Sequence, residues 1–366
     1  MNRTCGWLSV ASVSVGVLVC ARAVVGQPLT YRVVEVPQIE VPPGMGYSYA
    51  DVFTNAAIFN YGGGNTDQTV ILRSNGVVNL QPLSGHWFSH VNDANSRNDY
   101  VGFSMDGLGS ETSTIWFDGV PISTNDWAGR TAYVSTVNEH RVFGGQVVNE
   151  QGHWTAAKFD AFGRVVLLPV PTDSLLSVVH QVNNNGDAFG IIQTASQGQQ
   201  LVRWRNGILE TLDAPASSNE VEPVYIMGAI NASGDVTAEF WLYQEGIPET
   251  IGLYLWRGNV PILLSQGPGA FSSGIADHGG VAIIDAMGQS SLWFEGQYYT
   301  PSQFDLLDFD GVATDILRLG SDGSMVARVE DAQGERIAIL TLVPSPGSLV
   351  LVVAGLGAVA RRRRGN

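Results

Sequence analysis

The sequence belongs to a long, acidic chain with few charged side chains. It has 366 residues, of which 45% are hydrophobic and 14% are charged. Such a composition can bury a large core, which excludes global disorder, and a repeat-built all-β domain can reach this length as one unit. Lys and Arg number 19 against 34 Asp and Glu, giving a formal net charge of -15 at pH 7. An acidic surface argues against a nucleic-acid partner, because the phosphate backbone is itself negative.

The first residues have the composition of a secretory signal peptide. Arg3 precedes an uncharged, mostly apolar run over residues 4–20, and residues 21–23 supply small side chains at the spacing that a signal peptidase reads. We therefore expect residues 1–26 to be removed, together with Cys5 and Cys20. A lipoprotein signal at Cys20 is the alternative. A mature exported chain without cysteine has no disulfides, so its stability must come from a continuous packed core.

Between the termini the sequence repeats with a period of about 45 residues, the length of a four-stranded propeller blade. The clearest copy contains, in order, a turn at 183–186, strands at 188–192 and 201–204, the Asn206-Gly207 hairpin and a strand at 208–212. The other copies contain residues 57–60, Val91-Asn92, Val137-Asn138, Ile230-Asn231, Ile275 and residues 320–327. The sequence therefore predicts an all-β fold, a β-propeller of about seven blades over residues 27–343, or of six if two weak copies share a blade.

The two ends of the repeat region predict how the ring closes. The last copy lacks its final strands, whereas two segments at the front, residues 31–36 and 48–52, have no blade of their own. If these N-terminal strands complete the last blade, the ring closes and an exposed sheet edge is removed. We expect the recurring tryptophans, such as Trp204 and Trp256, to pack against the neighbouring blade rather than to stack on carbohydrate.

The opening of each copy resembles a known repeat. Residues 182–189 read VNNNGDAF and are followed by a Trp-x-x-Gly hairpin at Trp204. This pattern is similar to that of the tandem-repeat exported proteins named for their Asn-x-x-Gly-x-x-Ala-Phe motif, and of the related HAF-repeat extracellular proteins. The resemblance covers about residues 53–344, and the copies at 182 and 230 match best. It implies a propeller-like fold in an exported protein and assigns no activity.

The last residues resemble a sorting signal. In order they are Val343, Pro344, Ser345, Pro346, an apolar stretch over 349–360, and Arg361, Arg362, Arg363 and Arg364. The order is similar to the PEP-CTERM signal of bacterial exported proteins, in which Pro-Glu-Pro precedes a hydrophobic helix and an arginine cluster; Ser345 replaces the glutamate. The resemblance implies that an exosortase-like membrane enzyme recognises residues 344–366.

Physical chemistry favours the same interpretation of the tail. As a helix, residues 348–360 would rise about 20 Å, short of the roughly 30 Å hydrocarbon core of a bilayer. The arginines cross a membrane with difficulty and would keep the C-terminus on the cytoplasmic side. We therefore expect a transient membrane stop that leaves the body in the cell envelope or outside the cell. The alternative is a final strand followed by a basic, nucleic-acid-binding tail.

No residue pattern in the sequence identifies a complete catalytic, cofactor or metal site. The sequence contains no G-x-S-x-G elbow and no Walker-type glycine loop. His86 and His90 have a spacing found in zinc sites, but they lie in a segment that we expect to be a loop and they have no third ligand nearby. Asp308, Asp310 and Asp315 could bind calcium, although a solvated turn explains them as well.

Two classes of function remain after these exclusions. The first is a non-catalytic envelope or matrix protein whose propeller binds a glycan or protein partner or serves a structural display role. The second is a polysaccharide-acting propeller enzyme of the lyase or glycosidase type, which would need two carboxylates that converge in the central channel. A self-associating structural array is a third possibility, favoured by the Gly-rich, weakly charged strands.

The tail hypothesis makes a prediction about localisation. Deleting residues 344–366, or changing Arg361–Arg364 to neutral residues, should move most of the protein from the envelope fraction to the medium, because the membrane stop is lost. Cell fractionation and immunoblotting measure the distribution. Retention of both variants in the membrane fraction would show that the tail is not a sorting signal.

Overall fold

The strands form seven sheets that follow one another along the chain as propeller blades. The computed structural model describes residues 29–38, 46–53, 56–62, 68–215, 223–244, 247–267, 269–285 and 287–343. Within them, six sheets have four strands each, in sequence order, and the seventh combines the two ends of the repeat region. The prediction of a seven-bladed propeller with four-stranded blades is confirmed, and the alternative of six blades is not.

The strand bounds are as follows, in chain order. The N-terminal strand is β1 (Thr30–Glu35). Blade 1 comprises β2 (Gly46–Phe53), β3 (Ala56–Gly62), β4 (Gln68–Arg73) and β5 (Gly76–Leu80). Blade 2 comprises β6 (His86–Ala94), β7 (Asp99–Asp106), β8 (Glu111–Phe117) and β9 (Val120–Ser123), and is followed by the helix α1 (Thr124–Ala128). Blade 3 comprises β10 (Ala132–Val137), β11 (Phe143–Val148), β12 (Trp154–Phe159) and β13 (Val165–Leu167).

The remaining blades follow the same plan. Blade 4 comprises β14 (Ser174–Val182), β15 (Ala188–Thr194), β16 (Gly198–Arg205) and β17 (Ile208–Thr211). Blade 5 comprises β18 (Pro223–Ile230), β19 (Val236–Gln244), β20 (Ile247–Arg257) and β21 (Val260–Gln266). Blade 6 comprises β22 (Phe271–Ile275), β23 (Val281–Ile284), β24 (Ser290–Phe294) and β25 (Gln297–Tyr299). After a 3-10 turn (Pro301–Gln303) and β26 (Asp305–Leu307), blade 7 comprises β27 (Gly311–Leu319), β28 (Met325–Asp331) and β29 (Gly334–Leu342).

The N-terminal strand closes the ring. Strand β1 pairs antiparallel with β29, with Tyr31 opposite Leu342, and so becomes the fourth strand of blade 7. Strand β26 then pairs parallel with the free edge of β1. The closure hypothesis is therefore confirmed for residues 31–36. It is wrong for residues 48–52, which belong to β2, because the short hairpin between β2 and β3 makes this segment the inner strand of blade 1.

The hydrophobic core lies between the blades. Among the described residues, seven clusters of buried side chains each combine two neighbouring blades, and one of them joins blade 7 to blade 1. Trp116, Trp204 and Trp256 are fully buried in three of these clusters. Each indole Nε1 donates a hydrogen bond of 2.7–2.8 Å to a carbonyl just after the outermost strand of the preceding blade. The expected structural role of these tryptophans is confirmed.

A five-residue turn joins the inner two strands in blades 2 to 7, and asparagine holds it in blades 2 to 5. In blade 4, Asn183 Oδ1 accepts hydrogen bonds from the amides of Asn185 (3.0 Å) and Asp187 (2.9 Å). Its Nδ2 donates to the carbonyl of Asn231, the equivalent residue of blade 5, at 2.8 Å. The same inter-blade bond links Asn95 to Asn138, Asn138 to Asn183 and Asn231 to Ala276. We call the position of these asparagines the turn position.

The fourth residue of each turn has a left-handed backbone, which explains both the glycine of the motif and its exceptions. Gly186 has φ 79°, whereas Asn98 (φ 65°) and Arg141 (φ 59°) occupy this place in blades 2 and 3. The motif of blade 2 therefore begins at Asn95, and its assignment to Asn92 is wrong, since Asn92 lies at a register shift within β6. In blades 6 and 7 the turn position holds Ala276 and Gly320, which have no side-chain acceptor. The backbone bonds of the turn remain, and His278 Nδ1 and Asp322 Oδ1 accept the amides two residues further on.

The inter-blade bond of the turn makes a prediction about stability. Asn138→Asp keeps the Oδ1 acceptor but places a carboxylate oxygen against the buried carbonyl of Asn183, which should cost about 2 kcal/mol of unfolding free energy. Urea denaturation measures the loss. Asn149→Asp is the matched control, because Asn149 Oδ1 accepts from two amides in an exposed turn whose counterpart at Asp106 is already an aspartate. Asn149 Nδ2 donates only to the Thr155 hydroxyl (3.0 Å), which can rotate to donate to a carboxylate. Equal losses in the two variants would contradict the role of the inter-blade bond.

Candidate functional site

The innermost strands of all seven blades carry a β-bulge near the end that leads into the turn. Each of the strands β2, β6, β10, β14, β18, β22 and β27 shows a register shift there. A bulge increases the local twist and redirects the residues that follow it. The chain therefore places a repeated irregularity around the central channel, where side chains of different blades approach one another.

A first set of polar contacts links the blades two residues before the turn position. Asp93 Oδ2 accepts a hydrogen bond from the amide of Val137 in blade 3 (2.9 Å), and Thr136 Oγ1 accepts one from Val182 in blade 4 (3.2 Å). Gln181 Oε1 accepts a hydrogen bond from the amide of Ile230, the corresponding residue of blade 5, at 2.7 Å. We call this set the inner row; its members in blades 2 to 7 are Asp93, Thr136, Gln181, Ala229, Gly274 and Arg318. The pattern stops at blade 5, because Ala229 has no acceptor atom.

A second set of contacts lies one residue after the turn position. The amide of Ser96 donates to Glu139 Oε1 (3.0 Å), and the amide of Glu139 donates to Asn184 Oδ1 (3.1 Å). Further round the ring, the amide of Ala232 donates to Asp277 Oδ1 at 2.7 Å. Two of the acceptors are carboxylates, so both Glu139 and Asp277 help to connect neighbouring blades.

The two sets border a small central cavity of about 50 Å³. Three carboxylates line it, on Asp93, Glu139 and Asp277, and each accepts hydrogen bonds from a neighbouring blade. Burial raises the pKa of the Asp277 carboxyl, and the nearby charge of Asp322 adds to the increase. Arg318 also lines the cavity, and its Nε is shielded from solvent without a hydrogen-bond partner. A cationic side chain that lines the cavity therefore has a donor without a partner.

A second concave surface lies outside the ring, where α1 is inserted between blades 2 and 3. Ser123 Oγ caps the helix by accepting a bond from the amide of Asp126 at 3.2 Å, and Gly129 ends it with φ 64°. The indole of Trp127 packs edge-on against Phe143, with 5.0 Å between ring centroids, and against Phe159 at 5.7 Å. These contacts fix the helix on the outside of blade 3.

The hairpin turn between β12 and β13 forms the other wall. Asp160 Oδ1 accepts hydrogen bonds from the amides of Phe162 (2.8 Å) and Arg164 (3.1 Å), which holds the turn and leaves the Phe162 ring 79% exposed. A Cβ on Gly163 would lie 2.2 Å from the carbonyl oxygen of Trp127, so only glycine permits this approach. Between the walls is an open groove of about 610 Å³. We call it the aromatic groove; the residues used below are Asp126, Trp127, Arg130, Phe162 and Arg164.

The predicted sorting motif lies mostly outside the described residues. Val343 is the last described residue, and its amide donates to the carbonyl of Thr30 at 2.9 Å. Pro344, Ser345, Pro346 and Arg361–Arg364 lie outside this part of the chain, as do residues 1–26. None of the helices in the described residues is long and apolar enough to cross a membrane.

The other candidate residues lie apart from the cavity. His86 and His90 are on strand β6 rather than in a loop, and four residues of extended chain separate them by about 13 Å. His90 stacks on Phe103, with 4.9 Å between ring centroids. Asp308 and Asp310 lie in the turn before β27, and Asp315 is 3.9 Å from Arg328 Nε. Within the described ranges, no group of three or more His, Cys, Asp or Glu residues is placed to hold a metal ion.

The repeat pattern of the sequence does not predict the aromatic groove or the role of Arg318. The groove combines an insertion between two repeat copies with a turn of the next copy, and the insertion of Trp127 between blades was a possible signal. Arg318 occupies the inner-row position of a copy whose Asn is replaced by Gly320. Its surroundings depend on residues of other blades, which only the fold brings together.

Partly buried His180, on the inner strand of blade 4, leads to a prediction about pH. Burial lowers its pKa to about 4, and its Nε2 has no hydrogen-bond partner. The unfolded chain, with a pKa near 6.5, binds this proton first, so stability should fall as the pH drops from about 6.5 to 4. The contribution between pH 7 and pH 4.5 is about 2–3 kcal/mol.

His180→Phe should remove this part of the pH dependence. The readout is the change in unfolding free energy between pH 7 and pH 4.5, measured by urea denaturation, because altered packing affects both pH values equally. His153→Phe, at an exposed position, is the control and should keep the wild-type dependence. An unchanged pH dependence in His180→Phe would contradict the assignment.

The comparisons with known proteins concern the fold. No protein-family model and no curated protein matches the sequence. A structure of putative TolB from Agrobacterium tumefaciens is 11% identical, with 61% of this chain and 83% of that chain covered and a TM-score of 0.40. The BP39L lectin from Burkholderia pseudomallei is 13% identical, with 82% and 97% covered and a TM-score of 0.39. A prolyl endopeptidase is 10% identical, with 86% of this chain covered and a TM-score of 0.46, and this chain spans 50% of its length.

Proposed function

We propose that this protein is an exported, non-catalytic propeller that binds a glycan of the cell envelope or matrix in the aromatic groove. The observation that carries the proposal is the exposed ring of Phe162, which lies next to the planar guanidinium group of Arg164 in a groove large enough for a sugar ring. An exposed aromatic of this kind does not contribute to the core, and its position is fixed by the Asp160 turn.

The chemistry of the groove is complementary to a sugar. The apolar face of a pyranose can pack on the Phe162 ring, while its hydroxyl groups need donors and acceptors around the edge. Arg130 and Arg164 supply donors, and Asp126 supplies an acceptor. The Arg164 guanidinium lies over one face of the Phe162 ring, 5.7 Å from its centre, and its Nε donates to Asp160 Oδ2. A sugar would therefore pack on the other face of the ring, with the remaining N–H groups of Arg164 within reach of its hydroxyls. A protein partner that inserts an apolar side chain is the main competing occupant.

The central cavity favours binding over catalysis as the working hypothesis. A glycosidase-type mechanism needs an acid and a base with room for the substrate between them. The cavity of about 50 Å³ is smaller than a sugar ring, and Asp93, Glu139 and Asp277 are engaged in inter-blade hydrogen bonds. The raised pKa of Asp277 follows from its burial between blades. The polysaccharide-acting enzyme remains the alternative function.

The proposal includes export and processing. A signal peptide over residues 1–26 would direct the chain out of the cytoplasm, and residues 344–366 would hold it in the membrane until an exosortase-like enzyme acts on it. Removal of that segment would leave a propeller whose groove is free to bind an envelope glycan.

Binding should depend on the side chains of the groove. Phe162→Ala and Arg164→Gln should each weaken the affinity for the glycan about tenfold, since a stacking contact or a charge-assisted bond contributes about 1.4 kcal/mol. A glycan array followed by titration calorimetry identifies the ligand and measures the affinity. Leu108→Ala, at a position 93% exposed in blade 2, is the matched control and should bind as the wild type does.

Two outcomes would contradict the proposal. One is the absence of glycan binding, or equal binding by Phe162→Ala, Arg164→Gln and the wild type. The other is the release of new reducing or unsaturated ends from the bound polysaccharide, which would favour the enzyme.

A further inference from the structure

We infer that the central cavity is a binding site for an oxyanion, a carboxylate, sulfate or phosphate group, held by Arg318 and by the backbone amide of Ile275. This site is separate from the aromatic groove and does not depend on the function proposed for it. The observation behind this assignment is that Ala229 in blade 5 and Gly274 in blade 6 interrupt the inner row.

The interruption removes the acceptors that the other blades supply. From blade 2 to blade 5, side-chain oxygens of the inner row accept hydrogen bonds from the amide just before the next turn position. Ala229 and Gly274 carry no side-chain oxygen. At Gly274 a Cβ would lie 1.9 Å from the carbonyl oxygen of Leu319, so this position cannot hold a side chain without rearrangement. Because Ala229 has no side-chain oxygen, the contact from blade 5 to blade 6 lacks its side-chain acceptor.

The strand register identifies the amide that has no side-chain acceptor in the contact from blade 5 to blade 6. Ala276 donates its amide to the Gly280 carbonyl, as Asn138 does to Val142 in blade 3. The preceding residue Ile275 pairs with Val281. In an antiparallel ladder, hydrogen-bonded and non-hydrogen-bonded pairs alternate, so the Ile275 amide points away from β23 and towards the inner row. Ile275 also lines the cavity, and we infer that its amide is the second donor for a ligand there.

Arg318 supplies the charge. It lines the same cavity, and its Nε is shielded from water and has no hydrogen-bond partner. A buried donor of this kind costs free energy unless a ligand or water accepts its hydrogen bond. Guanidinium groups bind carboxylate, sulfate and phosphate oxygens through short, charge-assisted hydrogen bonds. The free donors of this cavity therefore favour an anion over a cation.

The size and the other charges of the cavity restrict the ligand. A volume of about 50 Å³ admits an acidic group and excludes a whole sugar ring. The facing charges are the carboxylates of Asp93, Glu139 and Asp277, whose oxygens accept bonds from Val137, Ser96 and Ala232. Because these charges and the acidic chain repel a free anion, we expect millimolar rather than tighter binding of small ions.

Titration of the full chain with small oxyanions tests the inference. Sodium sulfate, sodium phosphate and sodium acetate are titrated separately at constant ionic strength, and binding is followed by calorimetry and by the unfolding temperature. The inorganic ions and acetate distinguish a sulfate or phosphate source from a carboxylate source. Saturable one-to-one binding of at least one of them is expected.

Two variants separate the site from general electrostatics. Arg318→Gln should weaken binding at least tenfold, because a charge-assisted bond is lost. Ala229→Thr restores an inner-row hydroxyl for the Ile275 amide, as Thr136 does for Val182, and should also weaken binding at least tenfold while Arg318 stays in place. Arg32→Gln, at an exposed arginine, is the control and should bind as the wild type does.

The result can overturn the inference in two ways. The first is an absence of saturable binding of all three anions to the wild type. The second is wild-type affinity in both Arg318→Gln and Ala229→Thr. Unfolding midpoints show whether each variant is folded, and Ala229→Thr provides the decisive comparison if Arg318→Gln does not fold.

Discussion

The hydrogen bond from an asparagine side chain to the next blade is the contact on which the centre of this propeller depends. Asn138 shows its three functions: Oδ1 accepts two amides of its own turn, and Nδ2 donates to Asn183 of the neighbouring blade at 2.7 Å. An aspartate could form the turn but could not donate the inter-blade bond. The requirement for both an acceptor and a donor explains why the repeat uses asparagine at this position in four consecutive blades.

Other contacts, farther from the centre of the ring, also stabilise the packing of neighbouring blades. The buried indole of Trp204 fills the space between two blades and binds a carbonyl of the preceding one. In blades 4 and 5, Arg205 and Arg257 form ion pairs with the aspartates that end their turns. Blade 2 has Phe117 where these arginines stand, and there Arg141 of the next turn binds the buried Asp99 through two hydrogen bonds. Different residues thus satisfy the same requirement for a cation beside the turn aspartate.

The candidate sites lie where the repeat is broken. The aromatic groove exists because α1 is inserted between blades 2 and 3, and because Gly163 allows the next hairpin to approach Trp127. The central cavity exists where Ala229 and Gly274 interrupt a row of polar side chains. Repetition produces the scaffold, and the departures from it produce surfaces that distinguish one side of the ring from the other.

Local sequence determined the repeat and most of the turns, and indicated about seven blades with six as the alternative, because Asn-Gly turns, alternating strands and hairpin tryptophans act over a few residues. It also indicated that residues 31–36 complete the last blade. It misplaced Asn92, since Asn98 adopts the left-handed conformation in place of the expected glycine. Only the tertiary structure assigned β2 to blade 1, placed Phe162 beside Trp127, and left Arg318 with an unpartnered Nε. These features depend on residues from different blades, whose distances no local pattern encodes.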